Sequence, residues 1–419
     1  MTIWLIEPHD PLIVREGRPF GPNPGAMATS LLFPFPSTIA GGVRTRSALD
    51  EHGAFKYDRQ DAHERELIKQ LKEISIRGPL LVQIANEDNT TAQPEVNEWL
   101  VPMPNDVQLL DISSQEKAFL QRLVPLNSFA DAQTDFDPQK NEKQLYFVGP
   151  ERAAPQKLKR KPLSHELRYW YWEKFQTWLS EPTKLEQEDG VLLSSLGRKD
   201  IMREHRLHVS IDSEKETGKE GLLFGTSGLE FTHPGAGKAR LHDAHRLALA
   251  VDVDDKLALR PGIASFGGER RMVAWRQSNA QFPKCPDTIK EAIKSTGHCR
   301  LVLLTPVSFT QGYYPTWLQS GHAQKSGAKA EVKAITVRRP QVVSGWDLLL
   351  GTPKPSRRLA PAGTVLFLSI KGNAAERAAW IEQTWMRSIS DEEQDRRDGF
   401  GLAALGTWSG EPAAMQSMQ

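Results

Sequence analysis

Short apolar runs are the first feature of the chain, and each has the length of a buried strand. Residues 2–6 (TIWLI) form one such run, and the alternation of apolar and polar residues over 206–211 indicates a strand with one solvent-facing side. Residues 222–231 follow a turn-rich connection and are predicted to be the hairpin partner of 206–211. Further strands are predicted at 80–85, 99–101, 247–253, 272–275, 299–304, 334–338, 341–343, 365–370 and 402–408.

Helical periodicity is clearest in the aromatic segment 164–179, where large apolar side chains recur at helical spacing. We expect this helix to dock on a core or on a partner, in preference to stacking on bases. Further helices are predicted at 37–52, 64–74 and 374–388. The order strand–helix–strand–strand, then helix–loop–strand, is typical of ferredoxin-like α+β units and not of a doubly wound parallel sheet. Residues 104–165 carry scattered prolines and resist assignment.

Residues 10–47 combine a long polar loop, an apolar clamp and the start of a helix. The clamp residues are Leu31, Leu32, Phe33 and Phe35. Ser37 is predicted to be the N-cap of the helix. Gly41 and Gly42 lie inside the helix, where each costs roughly 0.8–1 kcal/mol relative to alanine. A helix that tolerates such a pair needs another backbone, or a ligand, close to its first turns.

Basic residues are concentrated between Pro11 and Arg46, where Arg15, Arg18, Arg44 and Arg46 accompany a single acidic residue, Glu16. A helix N-terminus beside several arginines is typical of a phosphate-binding site. The alternative is structural. The glycine pair would then serve a tight contact between helix and sheet, and the arginines would form a solvated rim. The sequence leaves both alternatives open.

Two further glycine-rich stretches lie before strands. In residues 267–271 (GGERR) the glycines permit positive φ and close backbone approach, but a structural turn with a salt bridge fits equally well. Residues 399–401 (GFG) follow a helix and enter a strand, which is the reverse of a dinucleotide fingerprint. A loop in that order still lets backbone N–H groups approach a phosphate chain.

The composition excludes several classes of protein. The length of 419 residues suggests two or three domains, and a formal net charge of +1 means that nucleic-acid binding must depend on local patches. The two cysteines, Cys285 and Cys299, lack metal-ligand spacing and are predicted to be reduced thiols of a cytoplasmic protein. The N-terminus lacks the features of a signal peptide, and every apolar run is too short to span a bilayer.

Candidate catalytic residues are few. Residues 242–245 (HDAH) look like a metal-dependent His-Asp dyad, but that chemistry needs a further histidine and a distant aspartate, so neither a metal nor a cofactor is predicted. His205 or His208 would suit the general base of an RNA-cleaving protein, although a histidine at a strand start is more often structural. The sequence contains neither a GxSxG motif nor a P-loop.

Several stretches, taken together and in order, resemble one family. They are DPLIVREGRPF from residue 10, FPFPSTIAGGVRT from 33, SFGGERR from 265, RRPQVVSGWD from 338, APAGTVLFLSI from 360 and GFGLAALGTW from 399. The chain resembles the RAMP-superfamily subunit of type III-B CRISPR (Cmr) effector complexes that caps the 5′ handle of the guide RNA. The resemblance extends from residue 10 to residue 408.

The resemblance implies an α+β fold of tandem ferredoxin-like (RRM-like) domains with large insertions, divided here as 1–200 and 201–419. It implies a non-catalytic subunit that holds the guide handle and nucleates assembly of an RNA-guided interference complex in antiviral defence. The implied partners are the guide (CRISPR) RNA, the polymerase-like large subunit and the backbone RAMP subunit, with target RNA reached indirectly and no membrane. The alternative is a guide-RNA-processing endoribonuclease of the same superfamily, with His205 or His208 as its base.

By motif, the implied RNA-binding residues form four groups. The N-terminal loop and the helix supply Arg15, Arg18, Phe20, Ser37, Thr38, Gly41, Gly42, Arg44 and Arg46. The two glycine stretches supply Gly267, Gly268, Glu269, Arg271, Gly399 and Gly401. Trp346, within the motif at 344–347 (SGWD), is predicted to anchor the interface between the domains, in preference to stacking on a base.

Overall fold

The computed structural model of the protein describes residues 1–15, 27–28, 30–50, 53, 55, 57–85, 94–112, 116–127, 145–151, 160–163, 167–186, 189–233, 245–316 and 326–414. Helix makes up 22% and strand 45%, in agreement with the predicted α+β class. Within the described ranges, no helix combines the length and the apolar character that crossing a membrane requires.

The secondary structure of the described chain consists of seven α-helices, two 3-10 turns and twenty-three strands. The helices are α1 Pro36–Ser47, α2 Ala62–Glu73, α3 Trp172–Ser180, α4 Leu193–Leu196, α5 Asp287–Thr296, α6 Ala374–Thr384 and α7 Glu393–Arg397, and the 3-10 turns are Pro182–Leu185 and Gly268–Arg270. The strands are β1 Thr2–Pro8, β2 Met27–Ala28, β3 Ile76–Ile84, β4 Val96–Pro102, β5 Val107–Asp111, β6 Lys117–Asn127, β7 Phe147–Pro150, β8 Tyr169–Tyr171, β9 Val191–Leu192, β10 Gly197–Arg198, β11 Met202–Asp212, β12 Thr217–Glu230, β13 Thr232–His233, β14 His245–Val253, β15 Gly262–Ser265, β16 Met272–Ser278, β17 His298–Leu303, β18 Lys329–Thr336, β19 Gln341–Asp347, β20 Thr352–Leu359, β21 Val365–Lys371, β22 Ala403–Thr407 and β23 Ala413–Ala414.

A nine-stranded sheet is the centre of the first half of the described chain. Its path is β10-β8-β4-β3-β14-β1-β16-β15, and β13 pairs with β14. Strand β1 is antiparallel to both of its neighbours, with Leu5 opposite Ala250 on one side and Arg276 on the other. The apolar run of β1 is buried on both faces. One face packs in the core cluster that contains Ile39 of α1, and the other packs in the cluster around Phe282.

A four-stranded antiparallel sheet, in the order β18-β21-β17-β22, is the centre of the second half. In its middle, Leu301 of β17 lies opposite Leu366 of β21 and Leu405 of β22. Helices α5 and α6 pack on each other and contribute Ile293 and Trp380 to the core cluster of this sheet. The sheet is therefore covered by apolar side chains, as the continuous apolar runs of its strands predict.

The predicted division of the chain at residue 200 does not coincide with the division between these sheets. Strand β3 lies before that position and pairs with β14, which lies after it. The first sheet ends with β16 at Ser278, and the second half begins with α5 at Asp287. Because consecutive strands are not always neighbours in a sheet, the residues between β3 and β14 form a long insertion between two paired strands of the first sheet.

A buried ion pair attaches part of this insertion to the second sheet. The guanidinium of Arg300 on β17 donates to the carboxylate of Asp106, and both side chains are almost inaccessible to solvent. The indole Nε1 of Trp178 on α3 donates to the same carboxylate at 2.9 Å. The carboxylate of Asp106 thus accepts hydrogen bonds from side chains of β17 and α3. These contacts fix the start of β5 and helix α3 relative to β17.

Several predicted elements differ from those in the structure. The aromatic segment predicted as one helix divides into strand β8 and helix α3, because pairing with β4 holds Tyr169–Tyr171 in a sheet. Aromatic residues suit strands as well as amphipathic helices, so their spacing did not decide between the two. Helix α1 ends at Ser47 and α6 at Thr384, both earlier than predicted. Helix α5 was not predicted.

Candidate nucleic-acid interface

An open cleft of about 1110 Å³ lies between the two main sheets and the hairpin formed by β19 and β20. Its walls include Leu80 of β3 and Leu100 of β4 from the first sheet, and residues 304–306, which follow β17. Val342 of β19 and Ser356 of β20 line it from the hairpin. A ligand in this cleft would therefore touch both halves of the protein.

Four arginines line the cleft, and no acidic residue is found among the described residues that line it. The arginines are Arg168, Arg203, Arg338 and Arg339. Arg168 is oriented by Asp200 at 3.5 Å and by the ring of Tyr169, whose centroid is 5.9 Å from the guanidinium carbon. Arg338 and Arg339 are exposed in the turn between β18 and β19. A concave surface with several guanidinium groups and no carboxylate attracts phosphate groups.

The predicted apolar clamp, residues 31–36, lines the same cleft. Phe33 is half-buried, and its ring centroid is 5.9 Å from that of Tyr169. Burial raises the pKa of the Tyr169 hydroxyl far above its ordinary value, so this residue is a neutral phenol. The cleft therefore combines cationic groups with flat apolar side chains, which are the groups that bind the phosphates and the bases of single-stranded RNA.

Helix α1 begins at the inner end of the clamp, and Ser37 is not its cap. Phe35 occupies the N-cap position and Pro36 the first helical position, and no side chain caps the helix. Proline is tolerated there because the N–H that it lacks has no partner within the helix. Thr38 donates its N–H to the carbonyl of Phe35 at 3.0 Å. Ser37 and Thr38 thus lie in the first turn, at the edge of the cleft.

The two glycines of α1 have different surroundings. A Cβ atom on Gly42 would lie 2.1 Å from the ring of Phe266, so packing between α1 and the 262–271 segment requires this glycine. A Cβ atom on Gly41 would meet no atom within 4 Å, and Gly41 is exposed. The structural alternative therefore accounts for Gly42. It does not account for Gly41.

The arginines near the end of α1 are engaged by the protein itself. Arg44 donates to Asp398 at 2.6 Å and to the carbonyl of Ile74 at 3.0 Å, and its side chain is only 11% exposed. Arg46 donates to the carbonyl of Arg260 through Nε and Nη2, at 3.2 and 3.1 Å. Partial burial, together with the charge of Arg260, lowers the pKa of Arg46. In this structure both side chains hold α1 to neighbouring segments, which differs from the implied contact with RNA.

The second glycine turn, residues 267–271, packs against the N-terminal segment. Gly267 has a φ of +78°, and its Cβ would lie 2.6 Å from the carbonyl oxygen of Ile13. That same oxygen accepts the N–H of Gly268 at 2.7 Å. Arg271 donates to Glu269 at 2.9 Å, which is the salt bridge of the structural alternative. The N–H of Gly268 is thus already used within the protein.

The C-terminal glycine loop is buried between the two halves. Gly399 and Gly401 both have positive φ, at +94° and +84°. The N–H of Gly399 donates to the carbonyl of Arg396 and that of Gly401 to the carbonyl of Pro306, at 3.2 and 2.8 Å. A Cβ on Gly399 would lie 2.5 Å from the carbonyl oxygen of Gly78 on β3. These glycines allow backbone to pack on backbone, and their amides do not face the cleft.

The other predicted residues of the N-terminal loop and the SGWD motif are distributed as follows. Arg15 is exposed and forms an isolated bridge with Ser30. Arg18 and Phe20 lie outside the described residues. Trp346 lies on β19 with 60% of its surface exposed, so the predicted role as a buried anchor between domains is wrong.

The candidate catalytic histidines lie on the hairpin of β11 and β12. His205 is exposed. His208 stacks on Phe224, with ring centroids 5.1 Å apart, and lies 3.0 Å from the hydroxyl of Thr226. Residues 242–244 lie outside the described part of the chain, as does the side chain of His245. Within the described ranges, no group of three His, Cys, Asp or Glu residues is arranged to hold a metal ion.

The arginines of the cleft are not among the residues predicted from the sequence. The available signal was the dipeptide Arg338-Arg339 before Pro340, since proline marks turns and loops and arginine side chains are mostly exposed. The motif that contains them was used only for the family resemblance. Arg168 and Arg203 gave no local signal, because only the folded topology brings them to the same cleft.

Comparison with known families assigns the chain to a class. The family described as CRISPR-associated protein (Cas_Cmr3) matches residues 4–408. The chain belongs to this family. The predicted relationship to subunits of the type III-B CRISPR (Cmr) effector complex is thereby confirmed.

Similar solved structures include two chains from cryo-EM structures of the type III-B Cmr-beta complex bound to cognate target RNA, one of them with AMPPnP. The chain from the structure with AMPPnP is 16% identical to this protein, with a TM-score of 0.42. The chain from the structure without AMPPnP is 17% identical, with a TM-score of 0.43. Each match covers 87% of this chain and 86% of the other. A chain of the Csm3–Csm4 subcomplex of the type III-A CRISPR-Cas interference complex is 9% identical, with a TM-score of 0.29 and coverages of 89% and 94%. A search of curated protein sequences finds no match.

Proposed function

We propose that this Cmr-family subunit is a non-catalytic RNA-binding protein that holds the 5′ handle of the guide RNA and nucleates assembly of the type III-B complex. The observation that carries the proposal is the composition of the cleft. Its described lining residues include four arginines and the apolar clamp, and none of them is acidic. Guanidinium groups hold a phosphate backbone, and apolar side chains stack on unpaired bases. The handle is the single-stranded end of the guide, and this combination suits it.

The position of the cleft supports a role at one end of the guide. One wall is formed by the clamp before α1 and another by the β19–β20 hairpin, so a bound strand would bridge the two halves of the protein. A strand held on two sides has a fixed orientation. Fixing one end of the guide sets the register of the subunits that stack along it.

We also propose that each half is a ferredoxin-like unit. In the first half, the path β16-β1-β14-β3 places the fourth, first, third and second strands side by side, with α1 between the first and the second. In the second half, β22-β17-β21-β18 has the same order, with α6 between the third and the fourth. This topology supports tandem units that meet after β16.

The proposed partners follow from the family resemblance. They are the guide RNA, the polymerase-like large subunit and the backbone RAMP subunit, with target RNA reached only through the guide, in the cytoplasm. A formal net charge of +1 suits a subunit that meets protein on several faces and RNA on one.

A reconstituted Cmr complex that carries Arg338→Ala and Arg339→Ala together tests RNA binding. Both side chains are exposed on a turn, so we expect the variant to fold and assemble while the guide handle loses its protection from nuclease. The matched control replaces Arg65 and Lys69, which are exposed on α2 and do not line the cleft. If the handle of the assembled cleft variant stays protected, the proposed role is wrong.

The absence of catalysis has a separate test. The purified chain is incubated with repeat RNA without metal ions, and we expect the RNA to stay intact. Cleavage at a single position that is lost in His205→Ala or His208→Ala would overturn this part of the proposal. That outcome would favour the processing endoribonuclease.

A further inference from the structure

A second cavity, of about 140 Å³, continues the cleft along helix α1 and strand β19. On the helix, Pro36 lines the cleft and Ser37 lines the cavity. On the strand, Ser344 lines the cleft and Trp346 lines the cavity. The cavity and the arginine-lined cleft are therefore neighbouring parts of one surface. We call this second cavity the slot.

One wall of the slot is an exposed tryptophan. Val342 and Ser344 of β19 line the cleft, and Trp346 of the same strand lines the slot. Val342 is 58% exposed and Trp346 is 60% exposed. A large aromatic side chain left in solvent at the rim of a groove is typical of a binding surface, because its face supplies contact area at little cost in conformational entropy.

The slot is also lined by Gly41, for which the described protein supplies no packing partner. The ring of Phe266 occupies the space beside the neighbouring residue Gly42. In contrast, no atom lies within 4 Å of the position that a Cβ atom on Gly41 would occupy. Alanine at position 41 would favour the helix without a clash. Glycine leaves the backbone of α1 open to the close approach of a flat group from outside the protein.

Among the described residues, three basic and two acidic ones line the slot, and two of the basic residues are paired with acidic ones. Arg44 pairs with Asp398 at 2.6 Å, and Lys72 lies 3.9 Å from Asp347. Lys354 also lines the slot. Its Cδ atom lies 3.8 Å from the position that a Cβ atom on Gly345 would occupy. Among the described residues, no carboxylate lies within ion-pair distance of Lys354. The slot thus offers one aromatic face and one ammonium group.

We propose that the slot binds one nucleotide of the guide RNA, with its base stacked on Trp346 beside Gly41 and a phosphate held by Lys354. The inference rests on the proposed RNA-binding function and deepens it by naming a base position outside the arginine-lined cleft. RNA is favoured over an apolar protein partner because the slot is continuous with that cleft and carries a lysine. Its volume suits a single unpaired base and not a duplex.

Photocrosslinking tests the stack directly. The full-length chain is mixed with single-stranded RNA in which every uridine is 5-iodouridine, irradiated and digested, and the crosslinked peptides are identified by mass spectrometry. We expect a crosslink at Trp346. Binding of the same RNA should weaken by about 5- to 150-fold in Trp346→Ala, the range measured for loss of one stacked base, and should be largely retained in Trp346→Phe.

Gly41 provides a second test that does not alter the aromatic group. A Cβ atom at position 41 meets no atom within 4 Å, so the side chain of Gly41→Leu is expected to extend into the slot and to weaken RNA binding to a similar extent. Its Tm should stay at or above that of the unmodified chain, which separates blockage of the slot from unfolding. Gly41→Ala should raise the Tm and affect binding less than Gly41→Leu.

The outcomes distinguish the slot from the wider RNA-binding role. If Arg338→Ala with Arg339→Ala loses RNA while Trp346→Ala and Gly41→Leu bind as the unmodified chain does, the slot proposal is wrong and the cleft stands. If none of these variants loses RNA, both are wrong. If Trp346→Ala keeps full RNA affinity but no longer joins the other Cmr subunits, the slot is a protein-docking surface and the proposal is overturned.

Discussion

Arg44 on helix α1 donates to a carboxylate oxygen of Asp398, which lies 354 residues later in the chain, at 2.6 Å. Their side chains are 11% and 7% exposed. Asp398 also accepts from Gln394 at 2.8 Å, and Arg44 also reaches the carbonyl of Ile74 at 3.0 Å. The pair thus fastens the helix beside the proposed RNA site to the segment just before the C-terminal glycine loop.

Loss of this arginine should destabilise the protein more than it changes RNA contact. Arg44→Ala leaves a buried carboxylate without its guanidinium partner, a change that costs about 3–5 kcal/mol. We expect that loss in urea unfolding followed by tryptophan fluorescence. The double variant Arg44→Met with Asp398→Leu should recover most of the loss, since it removes both charges. A loss under about 1 kcal/mol in Arg44→Ala would contradict a structural role for the pair.

The adjacent glycines of α1 should respond to alanine in opposite directions. Gly42→Ala places a methyl group 2.1 Å from the ring of Phe266 and should cost about 1–3 kcal/mol through overpacking. Gly41→Ala meets open space and should gain about 0.8–1 kcal/mol from helix propensity. Chemical denaturation measures both. Phe266→Leu should relieve part of the penalty in Gly42→Ala, and equal effects at the two positions would refute the assigned contacts.

The two exposed arginines of the cleft should carry part of the salt dependence of RNA binding. Each phosphate contact to a single strand contributes about 0.7 to the slope of log K against log salt. Arg338→Ala with Arg339→Ala should therefore lower the magnitude of that slope by about 1.4. Fluorescence anisotropy over a range of KCl concentrations measures it, and Arg65→Ala with Lys69→Ala serves as the control. An unchanged slope would show that neither arginine touches a phosphate.

The thiol of Cys285 should be nearly inert in the folded protein. The residue is 8% exposed, and burial raises its pKa to about 12. At pH 8 only about one thiol in ten thousand is ionised, against about one in four for an ordinary thiol, so alkylation should be about two-thousand-fold slower than in the unfolded chain. The folded-state rate should keep rising about tenfold per pH unit through pH 10, whereas the unfolded-state rate levels off above about pH 8.5.

Iodoacetamide labelling read by peptide mass spectrometry follows Cys285 and Cys299 separately. Cys299 is fully buried, and burial raises its pKa as well, so it should label more slowly still. Similar rates for Cys285 in the folded and unfolded chain would show that the thiol is not in the environment described.

The elements that sequence predicts best here are those whose two faces are both buried. Strands β1, β17 and β21 appear as short continuous apolar runs, because each is covered on both sides. The order of elements also pointed to the correct fold class. Tyr169–Tyr171 was misassigned because an aromatic run is compatible with helix and strand, and pairing with β4, a tertiary event, selected the strand.

The candidate site was predictable in its segments and less so in its side chains. The clamp at 31–36 lines the cleft, and the 267–271 turn packs beside the N-terminal segment. Arg44 and Gly399 were chosen for their residue type, but their partners, Asp398 and Gly78, are distant in sequence and gave no local signal. The sequence alone does not distinguish a charged side chain that is paired within the folded protein from one that is available to bind a ligand.

The pairing of β3 with β14 has a consequence for synthesis. About 160 residues separate these neighbouring strands, so the first sheet lacks its central strand until that whole stretch has left the ribosome. At 5–20 residues per second, translation of the stretch takes roughly 10–30 s, during which β1 and β3 expose unpaired edges. The N-terminal half therefore completes its fold late, and a nascent chain that stalls between these strands is a target for chaperones.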